Sequence, residues 1–249
     1  KKPPINDGNR LYIHSSKMKK ISLLTILTLM SLSVFAQKQK LIAQSQYDYK
    51  KFHFGMALDF GYYNLVNDLS TDFLSNTDLL GIETDGDFGM GVSFILPDLR
   101  LGNKLNLRHI LTVKTIQRNI QYTFNPMYEG PSVVVKKVES WFVESALHLK
   151  YRADRINNSR VFVFLGPSFG VDMASEKDVE DENIFKLNRA NFAVEIGAGC
   201  DFYFEYFKFA PQIKYSYGLT NLIVQDGTVF TSPLEGFYSR GLQFSITFE

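Results

Sequence analysis

Polar and apolar residues take turns along most of this chain. Phe52, Phe54, Met56, Leu58, Phe60 and Tyr62 alternate with His53, Gly55, Ala57, Asp59 and Gly61. One apolar face against one small or polar face at period two predicts a β-strand, here about as long as a tilted membrane crossing. The alternation returns at Phe88 to Leu96, at Leu105 to Lys114, and at Trp141 to Lys150. A fifth strand is predicted over about Arg160 to Met173, although Val161 to Leu165 is apolar on both faces. The cleanest is the sixth, where Phe192, Val194, Ile196, Ala198, Cys200, Phe202 and Phe204 oppose Ala193, Glu195, Gly197, Gly199, Asp201 and Tyr203. Gln212 to Thr220 and Leu242 to Phe248 complete a set of about eight, an even number as barrel closure requires.

Loop lengths also alternate. The gaps at Pro97 to Lys104, Arg152 to Ser159 and Glu205 to Lys208 are short. Those at Asn67 to Asp87, Asn125 to Ser132, Ser175 to Asn188 and Asp226 to Phe237 are longer. Outer-membrane barrels have short periplasmic turns and long outer loops, so both ends of the mature chain are expected in the periplasm. A soluble sandwich would share the alternation. The large apolar face and the Gly and Ala on the opposite face favour lipid outside and a narrow polar lumen inside. The predicted fold class is therefore all-β, a closed up-and-down antiparallel transmembrane β-barrel of about eight strands.

So narrow a barrel is filled by side chains. Asp59, Arg108, Lys114, Glu144, His148, Lys150, Glu195, Asp201 and Lys214 are expected to pair there as a structural polar network and leave no pore. Tyr62 with Tyr63, Tyr122 with Phe124, Phe202 to Phe209, and Phe237 with Tyr238 are expected to form interfacial girdles. On this register Ile196→Arg should impair assembly, whereas Gly197→Ser should assemble. The last strand ends Phe248-Glu249, resembling the aromatic-terminated strand by which barrel-assembly machinery recognises its clients.

Composition sharpens this picture. Among 249 residues are 22 Phe and 13 Tyr but a single Trp, a share of aromatics suited to lipid-facing strands. Residues 1–36 carry six of the 27 Lys and Arg and one of the 26 Asp and Glu, leaving 21 against 25 downstream. A mildly acidic mature chain offers no basic surface for phosphates, and no nucleic-acid partner is expected. The lone Cys200 permits no internal disulfide and no Cys pair for a metal. Met18-Lys19-Lys20, the uncharged run Ile21 to Val34, and small residues up to Ala36 predict a secretory signal peptide over 18–36, cleaved between Ala36 and Gln37. Residues 1–17 are expected to be an upstream, non-native prefix, and residues 37–249 the outer-membrane barrel domain. No later apolar run is long enough for a spanning helix.

Candidate chemistry is sparse. Asp85-Gly86-Asp87 lacks the twelve-residue calcium pattern, and the acidic run Glu176, Asp178, Glu180, Asp181, Glu182 reads as a solvated loop. His109 falls on the apolar face of its strand, where some barrel enzymes pair His with Ser to attack lipid esters, but no nucleophile is evident in register. Glu144 and Glu195 could form a carboxylate pair, yet interior salt bridges explain them without a substrate cleft. No enzyme, metal or cofactor is expected.

Lys51-Phe52-His53-Phe54-Gly55, the turn Asp154-Arg155-Ile156-Asn157-Asn158, the block Glu195 to Leu222 and the ending Phe244 to Glu249 together resemble the PorT family of outer-membrane β-barrel proteins. The resemblance implies a structural or accessory role in type IX protein secretion and gliding motility, with other secretion-system proteins as partners besides outer-membrane lipid and the assembly machinery. The family has no active-site motif, so no functional residue carries over. A small surface adhesin acting through the long loops is the alternative, and a lipid-modifying barrel enzyme a third.

Overall fold

The computed structural model describes residues 43, 47–70, 73, 79–127, 131–174, 187–225 and 231–249. Contacts divide the chain into Lys1–Ile42 and Ala43–Glu249, and every described residue belongs to the second unit. The expected prefix at 1–17, the signal peptide at 18–36 and the acidic run at 176–182 lie outside the described residues. So do Ala36 and Gln37, the two residues of the expected cleavage site.

Eight antiparallel strands close into an up-and-down barrel in sequence order, and β8 returns to pair with β1. They are β1 (Phe52–Leu69), β2 (Leu79–Arg100), β3 (Leu105–Phe124), β4 (Val133–Arg152), β5 (Ser159–Asp172), β6 (Ala190–Tyr203), β7 (Lys208–Gly218) and β8 (Leu234–Phe248). Closure pairs the backbone around the crossing itself and removes the edges that would otherwise meet hydrocarbon unsatisfied. A 3-10 turn, Tyr47–Tyr49, precedes β1.

Side chains alternate across this wall as period two demands. Phe60, Phe94, Leu149, Ile196 and Phe244 are exposed on its outer surface, whereas Asp59, Ser93, Lys150, Glu195 and Ser245 are buried inside. The ambiguous fifth strand follows the same rule. Val161, Val163 and Leu165 face out, and Phe162 and Phe164 lie inside, where Gly199 and Gly197 leave room for their rings.

Several expectations change. The strands β1 to β4 run past the alternating stretch, to 18, 22, 20 and 20 residues, against 14, 14, 11 and 15 for β5 to β8. Asp85-Gly86-Asp87 therefore lies within β2 and not in a loop. Tyr63, Tyr122, Phe124, Tyr203 and Phe237 are buried and form no girdle, because their parity turns them inward. Finally, Gly197 tolerates no side chain: a Cβ there would come within 2.3 Å of the Phe164 ring and 2.5 Å of the Ile213 carbonyl oxygen.

At the turn end, the β4–β5 hairpin closes through an Ile156–Ser159 bridge, with Asn157 in the left-handed region at φ 53°. Asn is among the few residues that take this conformation readily. Pro97, expected in a turn, sits inside β2 at a bulge, where Leu96 and Pro97 together face His109 between the pairs Ile95–Ile110 and Asp98–Arg108.

Candidate functional site

The lumen is the most chemically loaded part of the molecule. All nine polar residues expected there are buried: Asp59, Arg108, Lys114, Glu144, His148, Lys150, Glu195, Asp201 and Lys214. They fall into two tiers. In the middle tier Lys114 of β3 reaches Glu144 of β4 at 2.8 Å, and Lys214 of β7 reaches Glu195 of β6 at 2.9 Å and Glu144 at 3.8 Å. His148 Nε2 lies 2.6 Å from Glu195, and its ring stacks on Phe164. Asp59 accepts from Ser93 Oγ, which also contacts Thr112 Oγ1 at 2.6 Å.

The second tier lies towards the turn end. Arg108 bridges Asp98 at 2.8 Å and Glu249 at 2.7 Å, Lys150 reaches Asp201 at 3.1 Å, and Lys208 contacts both Asp201 and Glu249. Three cations meet three carboxylates. Charges placed in so little water persist because each has partners on neighbouring strands. Asp98, Lys208 and Glu249 were missed by the sequence reading. Lys208 and Glu249 continue the inward parity of Lys214 and Ser245, so extending the alternation would have found them. Asp98 follows the bulge at Pro97, where parity slips.

Both ends carry lids. At the turn end Tyr47 donates to Glu249 Oε2 at 2.7 Å, stacks on His53 and lies beside the Lys208 ammonium. Burial, and then the Glu249 carboxylate, hold the Tyr47 hydroxyl well above its ordinary pKa, so it stays a donor. Ala43 N–H donates to Asn158 Oδ1, and Arg155 donates to the Ala43 carbonyl. At the loop end Leu65, Leu79, Ile82, Ile120, Tyr122, Phe124, Leu187, Leu222, Ile223, Leu234 and Phe237 form one apolar cluster. A bridge between Leu187 and Ile223 ties the β5–β6 and β7–β8 connections across it. Below this cap the Tyr63 ring crosses the lumen between Gly61, Gly89 and Gly241 and donates to Gln243 at 2.9 Å.

The outer wall supplies the partner that His109 lacked in the sequence. Its Nε2 is 2.9 Å from Ser145 Oγ on β4, and its Nδ1 is 2.5 Å from the Leu96 carbonyl that the bulge frees. A carbonyl only accepts, so Nδ1 carries the proton and Nε2 accepts from the hydroxyl, the tautomer a general base would need. The surroundings point elsewhere. Ser145 lies in the outward row Trp141, Val143, Ser145, Leu147, Leu149, Tyr151, roughly 13 Å of strand from one end and 20 Å from the other. That is hydrocarbon depth, away from lipid ester groups. Exposed neighbours Val143, Leu147 and Phe169 bring no donor for an oxyanion. The pair satisfies a stray carbonyl in an apolar setting.

Among the described residues no three His, Cys, Asp or Glu side chains converge as a metal site, and no helix is long and apolar enough to cross a membrane.

A family model described as an outer membrane protein beta-barrel domain matches residues 35–224. No curated protein matches the sequence. Similar solved structures include Neisserial surface protein A (NspA), 10% identical with a TM-score of 0.43 over 80% of this chain and 98% of that one. OprG from Pseudomonas aeruginosa is 13% identical with a TM-score of 0.42 over 78% and 94%. Ail of Yersinia pestis, in complex with the heparin analogue sucrose octasulfate, is 11% identical with a TM-score of 0.34 over 80% and 99%.

Proposed function

The chain belongs to the outer membrane protein β-barrel domain family, and on that premise we propose that it is a non-conducting structural or accessory component of the type IX protein secretion apparatus. The observation that carries this reading is the blocked lumen, paired charges beneath an apolar cap at one end and the Tyr47 lid at the other. A barrel of this kind works through its surfaces, because nothing crosses it. The PorT-like stretches at Lys51 to Gly55, Asp154 to Asn158 and Glu195 to Leu222 direct the reading to secretion and gliding motility. Export through the signal peptide at 18–36, with Gln37 as the first mature residue, would leave both mature termini in the periplasm and the turns facing secretion partners there.

Deletion of the gene tests the proposal. Cargo proteins should then accumulate inside the cell or periplasm, and normal secretion in the deletion strain would sink it. A second reading is a surface-binding role at the loop end, favoured by the extra length of β1 to β4. Replacing residues 70–78 and 175–186 with short linkers should then abolish surface binding while secretion continues.

A further inference from the structure

The wall of the barrel has an uneven rim. On one side β4 pairs with β3 along its whole length, from Thr123–Val133 down to Leu105–Tyr151. On the other it meets β5 only as far up as Phe142–Asp172. Parity says which backbone groups this leaves open. Arg152 and Ser132 bond on the β3 side, through Lys104 and Phe124, whereas Ala153 and Trp141 bond on the β5 side, through Val161 and Met173. Odd-numbered residues of β4 therefore turn their N–H and C=O towards β5. Above Trp141 these are Val133, Val135, Lys137 and Glu139, and no backbone partner meets them among the described residues. Among the described residues, four donors and four acceptors stand open along roughly 20 Å of strand.

The matching end of the tall half-wall is closed. There β8 rises past β7, and the β7–β8 connection caps it: Leu222 N–H donates to the Phe237 carbonyl at 2.8 Å, and Phe237 N–H donates to Asn221 Oδ1 at 3.0 Å. Asn221 and Gln225 side-chain amides bond the Glu235 and Leu234 carbonyls. Among the described residues one edge is dressed and the other is bare. An open edge with alternating donors and acceptors has one chemical complement, an extended polypeptide.

We propose that β4 over Val133 to Glu139 is a docking edge for an extended segment of a different protein, which adds to the β1–β4 half-wall as a further strand. This depends on the membrane-embedded barrel and not on a role in secretion. Trp141 marks the rim of the apolar belt, so the edge stands beyond it. A second copy in the same bilayer does not fit. A two-fold axis along the membrane normal reverses the strand tilt of ~35–45°, so the two edges would cross at roughly 70–90° instead of lying alongside. The neighbouring side chains set the partner's pattern. Val134 and Val138 pack inward on the apolar cap, whereas Val133 and Val135 are exposed on the outer face with Lys137. Glu139 already accepts from Gln117 at 3.1 Å. The added strand should present apolar side chains on its inner face and opposite the two valines, and an acidic one opposite Lys137.

The test places the photo-reactive residue p-benzoylphenylalanine at Val135 or at Lys137 in living cells. The expected result is adducts with one polypeptide at sites two residues apart, reduced at least tenfold when Val133→Pro is added. Proline there removes an open-edge N–H and leaves the β3 ladder intact, and heat-modified migration on a detergent gel reports folding of the variant. Adducts only with lipid or with residues 175–186 of the same chain overturn the proposal, as do adducts unchanged by the proline. A second measurement uses the unaltered protein in lipid vesicles. The amides of Val133, Val135, Lys137 and Glu139 should exchange hydrogen at least a hundredfold faster than those of Val134, Lys136 and Val138, and equal protection of the two sets overturns it.

Discussion

Ile196 and Gly197 are adjacent in sequence and have opposite surroundings. Ile196 faces hydrocarbon, so Ile196→Arg should cost roughly 2 to 4 kcal/mol if it sits near the bilayer midplane. Gly197→Ser, which the alternation alone treats as harmless, meets the Phe164 ring and the Ile213 carbonyl oxygen. Overpacking of that kind typically costs about 1 to 3 kcal/mol. Refolding titrations into vesicles with urea should place both variants below wild type, and a Gly197→Ser midpoint equal to wild type would refute the packing. Lys114→Met leaves Glu144 with only the longer contact to Lys214, at an expected cost of about 3 to 5 kcal/mol. Lys114→Met with Glu144→Leu should recover much of that loss, because removing both charges leaves no orphan. A double variant less stable than the single one would contradict this pairing. At the outer wall, His109→Ala should lower stability by about 1 kcal/mol through the unsatisfied Leu96 carbonyl and leave lipid A mass spectra unchanged. A spectrum altered as in the full deletion would make the His109–Ser145 pair catalytic.

At the scale of elements, the two halves of the wall do different work. The short strands β5 to β8 scarcely exceed a membrane crossing, whereas β1 to β4 carry residues such as Leu65, Ile82, Ile120 and Tyr122 beyond it to build the apolar cap. Phe237 is fully buried in that cap. Phe237→Ala should cost about 3 to 5 kcal/mol if the cap packs like a protein core, and should raise proteolysis of the loop-end connections in intact vesicles. Protease resistance equal to wild type would mean that the cap does not hold those connections. The inward parity was readable from the sequence as far as Tyr62. Past that point the contrast inverts, with Tyr63, Leu65 and Ile82 buried inside while Asn64, Asp68, Glu83 and Asp85 lie on the outer face, so the apolar-outward pattern of a crossing stops before β1 and β2 end.

For the whole molecule, closure and filling have separate consequences. Because the strands form an unbroken ring, the folded barrel should resist detergent at room temperature. Unheated and boiled samples should therefore migrate differently on a detergent gel, and identical migration would argue against closure. Because tiers of charge and a lid at each end occupy the lumen, planar bilayers containing the protein should show no steady conductance. A persistent single-channel step would overturn the blocked lumen.

The sequence by itself determined the strand count, the antiparallel order and the side of the wall on which most residues lie, because each follows from a local period of two and from loop length. It also marked nine of the polar residues of the lumen, since a charge every second residue opposite Phe and Leu has few other places to go. Only the tertiary structure decided which charge meets which. Lys214 and Glu144 are 70 residues apart in the chain, and their contact depends on barrel closure and strand stagger, which no local pattern encodes. The same holds for Ser145 beside His109 and for the glycines that house Tyr63. Each arises where strands distant in sequence come to lie side by side.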